Sequence, residues 1–327
     1  MRFLKTIQKR EDELASASDA SGAEAYAETQ FGKNEPVGLL AIPDLRIGAP
    51  SASSPVNGSK KKSVKSGPAR PSQLMPVQTG LVKDLPSVRE VVINVERVNP
   101  RVVSITQPRS PYCEEYRNLR TQLLHKSKAR KLQAIVVASV GPSEGKSITA
   151  LNLSWLFAQT DGVRALVVDS DLRRPSLAEN LGFDAGIDGL SEVLTGSLSL
   201  KDAIVKLQPA GLYLLPGGSA RDDVAELISG PRFAEILEEA RNHFDFIIID
   251  APPLGIFTDA SLLINLADGA MLVVRANHTK YKDIDRILDS LPSERMLGTI
   301  LNQSDVPLMD ESYYKYSFYD RSLPVKS

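Results

Sequence analysis

The sequence has little cysteine and no long hydrophobic run, and both absences narrow the range of functions. Cys113 is the only cysteine among 327 residues. An intrachain disulfide framework, an iron–sulfur cluster and a cysteine-built zinc site within one chain are therefore excluded. No apolar run approaches the roughly 18–20 residues of a membrane span, and the first residues, MRFLKTIQKREDEL, lack the apolar core of a secretory signal. We expect a soluble protein of a reducing compartment.

Neither sign of charge predominates. The 39 Lys and Arg residues nearly balance the 40 Asp and Glu residues, which gives a formal net charge of −1. A protein that coats nucleic acid needs a strong positive excess. We therefore expect no nucleic-acid partner.

The first 97 residues differ from the rest of the chain, because most of them form a stretch rich in Ala, Ser, Gly, Pro and Lys. The part GAPSASSPVNGSKKKSVKSGPARPS, residues 48–72, has almost no large apolar side chain, so it cannot bury enough surface to offset the loss of chain entropy. We predict that residues 1–97 are a mostly disordered leader with a short amphipathic helix at its start. The lysines within this stretch are interpreted as solubilising charges, with contact to an anionic lipid surface as the alternative.

From about residue 98, short β-branched runs alternate with helical patterns. The runs are LQAIVVAS (132–139), ALVVDS (165–170), LYLL (212–215), FDFIIID (244–250), AMLVV (270–274) and LGTILN (297–302). Nearly continuous apolar strands separated by amphipathic helices predict an α/β fold, with a mostly parallel sheet covered by helices on both faces. Such a sheet binds its ligands at the carboxyl ends of its strands.

The strand at 132–139 leads into a glycine-containing loop and then a helical pattern. The residues that we expect to bind a nucleotide here are Gly141, Pro142, Ser143, Glu144, Gly145, Lys146, Ser147 and Ile148. Backbone N–H groups of such a loop surround phosphate oxygens, and the helix N-terminus adds its positive dipole end. Lys146 is placed to reach the β- and γ-phosphates, and the Ser147 hydroxyl to take a Mg²⁺ position. The Walker A pattern has glycine where this chain has Val140, but the position between strand and helix still predicts nucleotide binding.

Three aspartates lie at the ends of two other predicted strands. Asp250 ends the run 246–250 as a Walker B aspartate does, and Asp169 and Asp171 end or follow the strand at 165–169. Carboxylates at this edge of the sheet can hold Mg²⁺ and accept a proton. An aspartate at a strand end is often only a helix cap or a turn residue, and this alternative is strongest for Asp171 taken alone.

Over about residues 98–307 the chain resembles the bacterial tyrosine kinases of capsule and exopolysaccharide systems. The resemblance rests on the runs SPYCEEYRNLRTQL, ASVGPSEGKS, LVVDSDLRRPSL, GLSEVLTGSL, FDFIIIDAPPLGIFTDA, LADGAMLVVRA and GTILNQSD, in that order. It implies a P-loop NTPase fold unrelated to eukaryotic protein kinases, with the kinase domain at residues 98–307. It also implies transfer of the ATP γ-phosphate to tyrosines, with Mg²⁺ as the metal.

The resemblance also implies roles for single residues. Lys146, Asp169 and Asp171 are then catalytic, and Asp169 is the base that accepts the tyrosine hydroxyl proton. The metal is held by Ser147, Asp171 and Asp250. Asn302, at the end of the last predicted strand, either contacts adenine or is a turn residue.

The last segment, residues 308–327, contains a cluster of tyrosines within ESYYKYSFYDRS, namely Tyr313, Tyr314, Tyr316 and Tyr319. Aromatic residues are usually scarce in flexible tails, so the cluster needs an explanation. We expect these tyrosines to be the phosphoacceptors that the resemblance implies. The alternative is an incidental polar tail.

The resemblance implies assembly as well. The family's Glu-x-x-Arg-x-x-Arg motif, which joins subunits into a ring, is matched by Glu114, Arg117 and Arg120. Residues at this spacing lie near one helix face, so pairing within a solvated helix is an equal explanation. The family further implies a membrane-bound polysaccharide co-polymerase as activator, an opposing tyrosine phosphatase, and a cytoplasmic protein recruited to the inner face of the plasma membrane.

Two other functions remain open at this point. A partition or division-site switch ATPase would carry a signature lysine at position 141, where this chain has Gly141. A non-catalytic scaffold of a polysaccharide export complex would bind ATP without phosphorylating anything, and the tyrosine cluster argues against it.

Overall fold

Eight strands form a single sheet in the computed structural model, which describes residues 88–184 and 186–304. The tail at residues 308–327, with its four tyrosines, and the leader up to residue 87 lie outside the described residues. The strands are β1 (Arg89–Val92), β2 (Ala134–Ser139), β3 (Ala165–Asp169), β4 (Val205–Gln208), β5 (Leu212–Leu215), β6 (Phe246–Asp250), β7 (Gly269–Arg275) and β8 (Met296–Asn302).

The sheet is mostly parallel. Its strand order is β1-β4-β5-β3-β6-β2-β7-β8, and every neighbouring pair is parallel except β4 and β5. The central strands β2, β3 and β6 are buried along their whole length, as strands covered on both faces are. Their carboxyl ends meet at one edge of the sheet, so the residues that follow them come together.

Helices connect the strands and cover the sheet. They are α1 (Val103–Thr106), α2 (Pro111–Ala129), α3 (Lys146–Ala158), α4 (Leu177–Asn180), α5 (Leu190–Leu194), α6 (Leu200–Ala203), α7 (Val224–Ser229), α8 (Pro231–Arg241), α9 (Asp259–Leu266) and α10 (Tyr281–Ser290). None of these helices is both long and apolar enough to pass through a bilayer, a finding that covers the described residues alone.

Local sequence explains the two helices that matter most for the site. α2 begins where the Ser110 hydroxyl accepts a hydrogen bond from the N–H of Cys113, and Pro111 occupies its first position, where a missing N–H is harmless. α3 is almost entirely buried. Phe157 near its end stacks on Phe246 of β6, with ring centroids 4.2 Å apart, and this contact anchors the helix under the sheet.

All six predicted strands are present, and the α/β fold with a mostly parallel sheet is confirmed. Two strands were not predicted: β1 and β4, which are only four residues each. β1 pairs with β4 from Arg89 to Val92, and a 3-10 turn follows at Val95–Arg97. β1 and this turn lie inside residues 1–97, the span that we predict to be a mostly disordered leader.

Candidate active site

The loop between β2 and α3 has the backbone that phosphate binding requires. Ser143 and Gly145 both have left-handed backbone, with φ of 61° and 97°. A Cβ on Gly145 would overlap Nδ2 of Asn302, so this position accepts glycine alone. No side chain caps the start of α3, and the first N–H groups of this helix therefore remain available to an anion.

Lys146, the first residue of α3, lies among acidic side chains. Its Nζ is 2.8 Å from Oδ2 of Asp171 and 3.7 Å from Oδ1 of Asp250, and 3.2 Å from the hydroxyl of Ser147. Burial lowers the pKa of Lys146, but the charges of Asp250 and Asp171 outweigh burial and raise it. The ammonium group is therefore charged and held at the carboxyl ends of β3 and β6.

Asp250 and Asp169 face each other across neighbouring strands, as partners in the register of β6 and β3. Asp250 is fully buried, and neither of its carboxylate oxygens has a hydrogen-bond partner among the described residues. Burial raises the pKa of Asp250, although Lys146 acts against the shift. The two carboxylate oxygens of Asp250 and the nearby hydroxyl of Ser147 are hard oxygen donors of the kind that Mg²⁺ prefers.

Asp169 differs from Asp250 because one of its oxygens is occupied. Oδ2 accepts hydrogen bonds from the N–H groups of Ser176 and Leu177, at 2.8 and 2.9 Å. Oδ1 is buried without a hydrogen-bond partner in the described part of the chain. Burial and the charge of Asp250 raise the pKa of Asp169, and the two N–H groups lower it only in part. The carboxyl group is therefore fixed in place and able to hold a proton near neutral pH.

A hydrogen bond between Asn302, at the end of β8, and Glu144 connects the phosphate loop to the sheet. Nδ2 of Asn302 donates to the carbonyl oxygen of Glu144 at 2.7 Å, and Oδ1 accepts from the N–H of Gln303. Both polar groups of the Asn302 side chain are thus engaged by the protein. The contact of Asn302 with the phosphate loop is its hydrogen bond to Glu144.

Arg173 joins three loops at the same edge of the sheet, and it is a residue that the sequence interpretation did not single out. Its Nε is 3.0 Å from Oδ2 of buried Asp259, one Nη donates to the carbonyl of Asp222, and its guanidinium lies 4.4 Å from the centre of the Phe257 ring. The signal was present in the run LVVDSDLRRPSL, but the partners lie 49 and 86 residues away.

The three residues matched to the assembly motif lie on α2 but do not share one environment. Arg117 pairs with Glu114 at 2.7 Å and also donates to the carbonyl of Pro108. Arg120 instead turns inward and donates to the carbonyl of Leu156 on α3 at 3.1 Å. The structure thus shows the pairing within α2 that the sequence left open for Glu114 and Arg117, and it gives Arg120 a contact between two helices.

Sequence comparison places these features among known proteins. Residues 132–295 match the AAA domain family. Tyrosine-protein kinase YwqD of Bacillus subtilis is 31% identical over 225 residues, which are 68% of this chain and 92% of that protein. The succinoglycan biosynthesis transport protein ExoP of Rhizobium meliloti is 34% identical over 76% of this chain, but the match spans only 31% of ExoP.

Solved structures agree with the sequence relatives. The kinase domain of the Escherichia coli tyrosine kinase ETK matches with a TM-score of 0.58 and 26% identity, over 62% of this chain and 80% of that one. The chimerical protein CapA2B2 matches with a TM-score of 0.57 and 26% identity, over 66% of this chain and 93% of that one. With these relatives and the phosphate loop facing three buried aspartates, the chain belongs to the bacterial tyrosine kinases of capsule and exopolysaccharide synthesis, which have the P-loop nucleotide-binding fold.

Proposed function

We propose that this kinase transfers the γ-phosphate of ATP to tyrosines of its own carboxyl-terminal cluster, between subunits of an oligomer, and so regulates exopolysaccharide or capsule synthesis. The observation that carries the proposal is the buried ammonium of Lys146, held by Asp171 and near Asp250 at the start of α3. The acceptors are Tyr313, Tyr314, Tyr316 and Tyr319.

ATP is the nucleotide that the site suits. The loop from Gly141 to Ile148 offers N–H groups to the phosphates, and the uncapped start of α3 adds its dipole. Lys146 balances phosphate charge once it exchanges Asp171 for a phosphate oxygen. Phosphoryl transfer depends chiefly on such positioning and charge neutralisation, which is why a rigid, buried cation suits the task.

Mg²⁺ fits the donors that surround Lys146. Ser147, Asp171 and Asp250 would hold it, since they supply one hydroxyl and two carboxylates, and the Asp250 oxygens have no other hydrogen-bond partner among the described residues. When bound, the metal would neutralise charge on the β- and γ-phosphates. Before the nucleotide binds, Lys146 holds the carboxylate of Asp171 in place.

Asp169 is proposed as the proton acceptor. A tyrosine hydroxyl has a pKa of about 10 and is protonated at neutral pH. In the transfer, the phenolic oxygen forms a bond to the γ-phosphorus, the bond from that phosphorus to the bridging oxygen of ADP breaks, and the phenolic proton goes to Asp169. The raised pKa of Asp169 makes this carboxylate a stronger base than an exposed one.

The proposed partners follow from the relatives. ExoP is by name a transport protein of succinoglycan biosynthesis, and this chain matches less than a third of its length. We accordingly expect a membrane-bound polysaccharide co-polymerase to activate this kinase at the inner face of the plasma membrane, while the kinase itself is cytoplasmic. A tyrosine phosphatase would reverse the modification.

Labelling with ATP tests the proposal. Purified full-length protein is incubated with labelled ATP and Mg²⁺, alone and with the cytoplasmic segment of a candidate activator, and the sites are mapped by mass spectrometry. We expect label on the tail tyrosines, at least a hundredfold less in Lys146→Met, and wild-type labelling in the control Lys282→Met, which replaces an exposed lysine of α10.

Two results would overturn the proposal. Full labelling of Lys146→Met would refute the site. ATP hydrolysis without any tyrosine label, in both mixtures, would instead support a switch ATPase or an ATP-binding scaffold.

A further inference from the structure

We infer that Thr279, in the turn after β7, is a positioning residue for the nucleotide: through Glu144 it holds the phosphate loop in its binding conformation. This inference rests on the proposed function, since it assigns a residue outside the loop to the same nucleotide site. Thr279 lies 135 residues after Glu144 in the chain, so nothing in the local sequence of the loop identifies it.

Glu144 is a buried carboxylate inside a loop that is built for an anion. Its side chain is 2% exposed, and Oε2 accepts a hydrogen bond from the N–H of Val140 at 2.8 Å. A negative charge does not favour a polyphosphate nearby. The contribution of Glu144 is therefore geometric. Its side chain connects the end of the loop, next to Gly145, to the start of the loop at Val140.

Thr279 fixes the other oxygen of this carboxylate. Its hydroxyl donates to Oε1 of Glu144 and accepts from the N–H of Arg275 at 3.0 Å, so both hydrogen-bonding functions of the hydroxyl are used. Asn277 between them has a left-handed backbone, with φ of 55°, which turns the chain back over β7. Because the hydroxyl is anchored to the end of a buried strand, it gives Glu144 a rigid partner.

A second contact holds the same residue by its backbone. The carbonyl oxygen of Glu144 accepts from Nδ2 of Asn302, and the carbonyl of Asn302 accepts from the N–H of Ala276 at 2.8 Å. The turn after β7 thus binds the side chain of Glu144, and the end of β8 binds its main chain. Loss of the Thr279 contact leaves the backbone contact intact, so the loop should loosen without the domain unfolding.

Nucleotide affinity in three variants tests this role. Thr279→Val keeps the shape of the side chain without the hydroxyl, Thr279→Ser keeps the hydroxyl, and Thr195→Val removes a threonine hydroxyl that bonds only within α5 and its end. The dissociation constant of a fluorescent ATP analogue is measured with Mg²⁺ by titration, beside the Tm of each nucleotide-free protein.

We expect Thr279→Val to weaken binding by about tenfold, the usual effect of losing one hydrogen bond to a charged group. Thr279→Ser should stay within about twofold of wild type, because a serine hydroxyl can make both bonds. Labelling at saturating ATP should fall much less than affinity does, since Lys146 and the aspartates are untouched.

Other outcomes distinguish failure of this inference from failure of the proposed function. Equal affinity of Thr279→Val and wild type refutes the inference and leaves the proposed function standing. Thr279→Val and Thr195→Val could also lose equal affinity at the same Tm change. That result would show general destabilisation and would also refute the inference. Failure of the wild-type protein to bind the analogue at all refutes the proposed function, and the inference with it.

Discussion

At the scale of single residues, the site concentrates charge that the fold does not neutralise. Asp169, Asp171 and Asp250 are buried around one ammonium group, so there are more negative charges than positive ones. Burying an uncompensated carboxylate is unfavourable, and the raised pKa of Asp169 and of Asp250 expresses this cost. Such an arrangement is expected where the missing positive charge is a bound metal ion.

The replacement Asp169→Asn should stabilise the nucleotide-free protein while it abolishes tyrosine labelling. Burial raises the folded-state pKa of Asp169 above its unfolded value, so the aspartate reduces stability as pH rises through the folded pKa and has no such effect below the unfolded pKa. We expect a gain of about 1–3 kcal/mol at pH 7.5. The gain should disappear below about pH 4.

Thermal or urea unfolding at several pH values measures this gain, with Asp161→Asn on the surface as the control. Loss of stability in Asp169→Asn at pH 7.5 would contradict the prediction. Such a loss would mean that the N–H groups of Ser176 and Leu177 need a full negative charge at this position.

The sequence predicted the residues of the site better than their contacts. The loop and the three aspartates could be identified because each follows a strand at the same edge of a parallel sheet. The contacts of Glu144 with Thr279 and of Arg173 with Asp259 could not, because both join residues more than 80 positions apart. Asn302 is an intermediate case: its place at a strand end was predicted, but its contact with the loop depends on how β8 aligns with β7.

At the scale of helices and strands, prediction succeeded for buried strands and failed for short ones near one edge. β2, β3 and β6 are continuous apolar runs, whereas β1 reads REVV and β4 reads VKLQ. Four residues of mixed character give no clear periodicity. What holds β1 in the sheet is its pairing with β4 and the contact of Glu90 with Lys206 at 2.8 Å, and neither is local in sequence.

At the amino ends of the strands, a set of polar contacts, here called the brace, joins α8 to the starts of β2 and β7. Arg241 makes two hydrogen bonds to Asp268, at 2.7 and 3.0 Å, and Asp268 also accepts from the N–H groups of Gln133 and Ala134. Burial raises the pKa of Asp268, but Arg241 and the two N–H groups outweigh it and lower the pKa. The brace lies far from the site, at the amino ends of the strands.

Arg241→Met should therefore lower stability and leave nucleotide affinity unchanged. We expect a loss of about 1–3 kcal/mol at pH 7, because Asp268 is left without its charged partner. Since the pKa of Asp268 is lowered in the folded state, its contribution is present above the unfolded pKa and is lost as pH falls. The difference between variant and wild type should thus shrink below about pH 4.

Urea unfolding across this pH range checks the prediction. Arg286→Met is the control, because Arg286 is exposed and pairs with Asp283 only at 3.6 Å. A surface pair of this kind contributes about 0–1 kcal/mol. A loss in Arg241→Met no greater than that of the control would show that the brace does not stabilise the fold.

At the scale of the whole molecule, the three residues matched to the assembly motif lie in two different environments. Glu114 and Arg117 form a partly exposed pair on the surface of α2, and the proposed oligomer would use this surface. Arg120 is half-buried and satisfies the carbonyl of Leu156 within the last turn of α3, whose first turn carries Lys146. The residues matched to the motif thus make one surface contact and one internal contact within this chain.

The two arginines should consequently respond differently to removal. Arg117→Ala is expected to lower the oligomer mass while the monomer unfolds at the wild-type temperature, because its pair with Glu114 within α2 is an exposed one worth about 0–1 kcal/mol. Arg120→Ala is expected to lower the Tm of the monomer by about 2–6 °C, since it removes a part-buried hydrogen bond between α2 and the carbonyl of Leu156. The mass is measured by light scattering over a range of concentrations, and Tm at a dilution where every variant is monomeric.

An Arg117→Ala protein with unchanged mass would show that Glu114 and Arg117 only stabilise their own helix. If tail labelling also stayed at the wild-type rate in that protein, and did not depend on its concentration, the transfer would occur within one chain rather than between subunits.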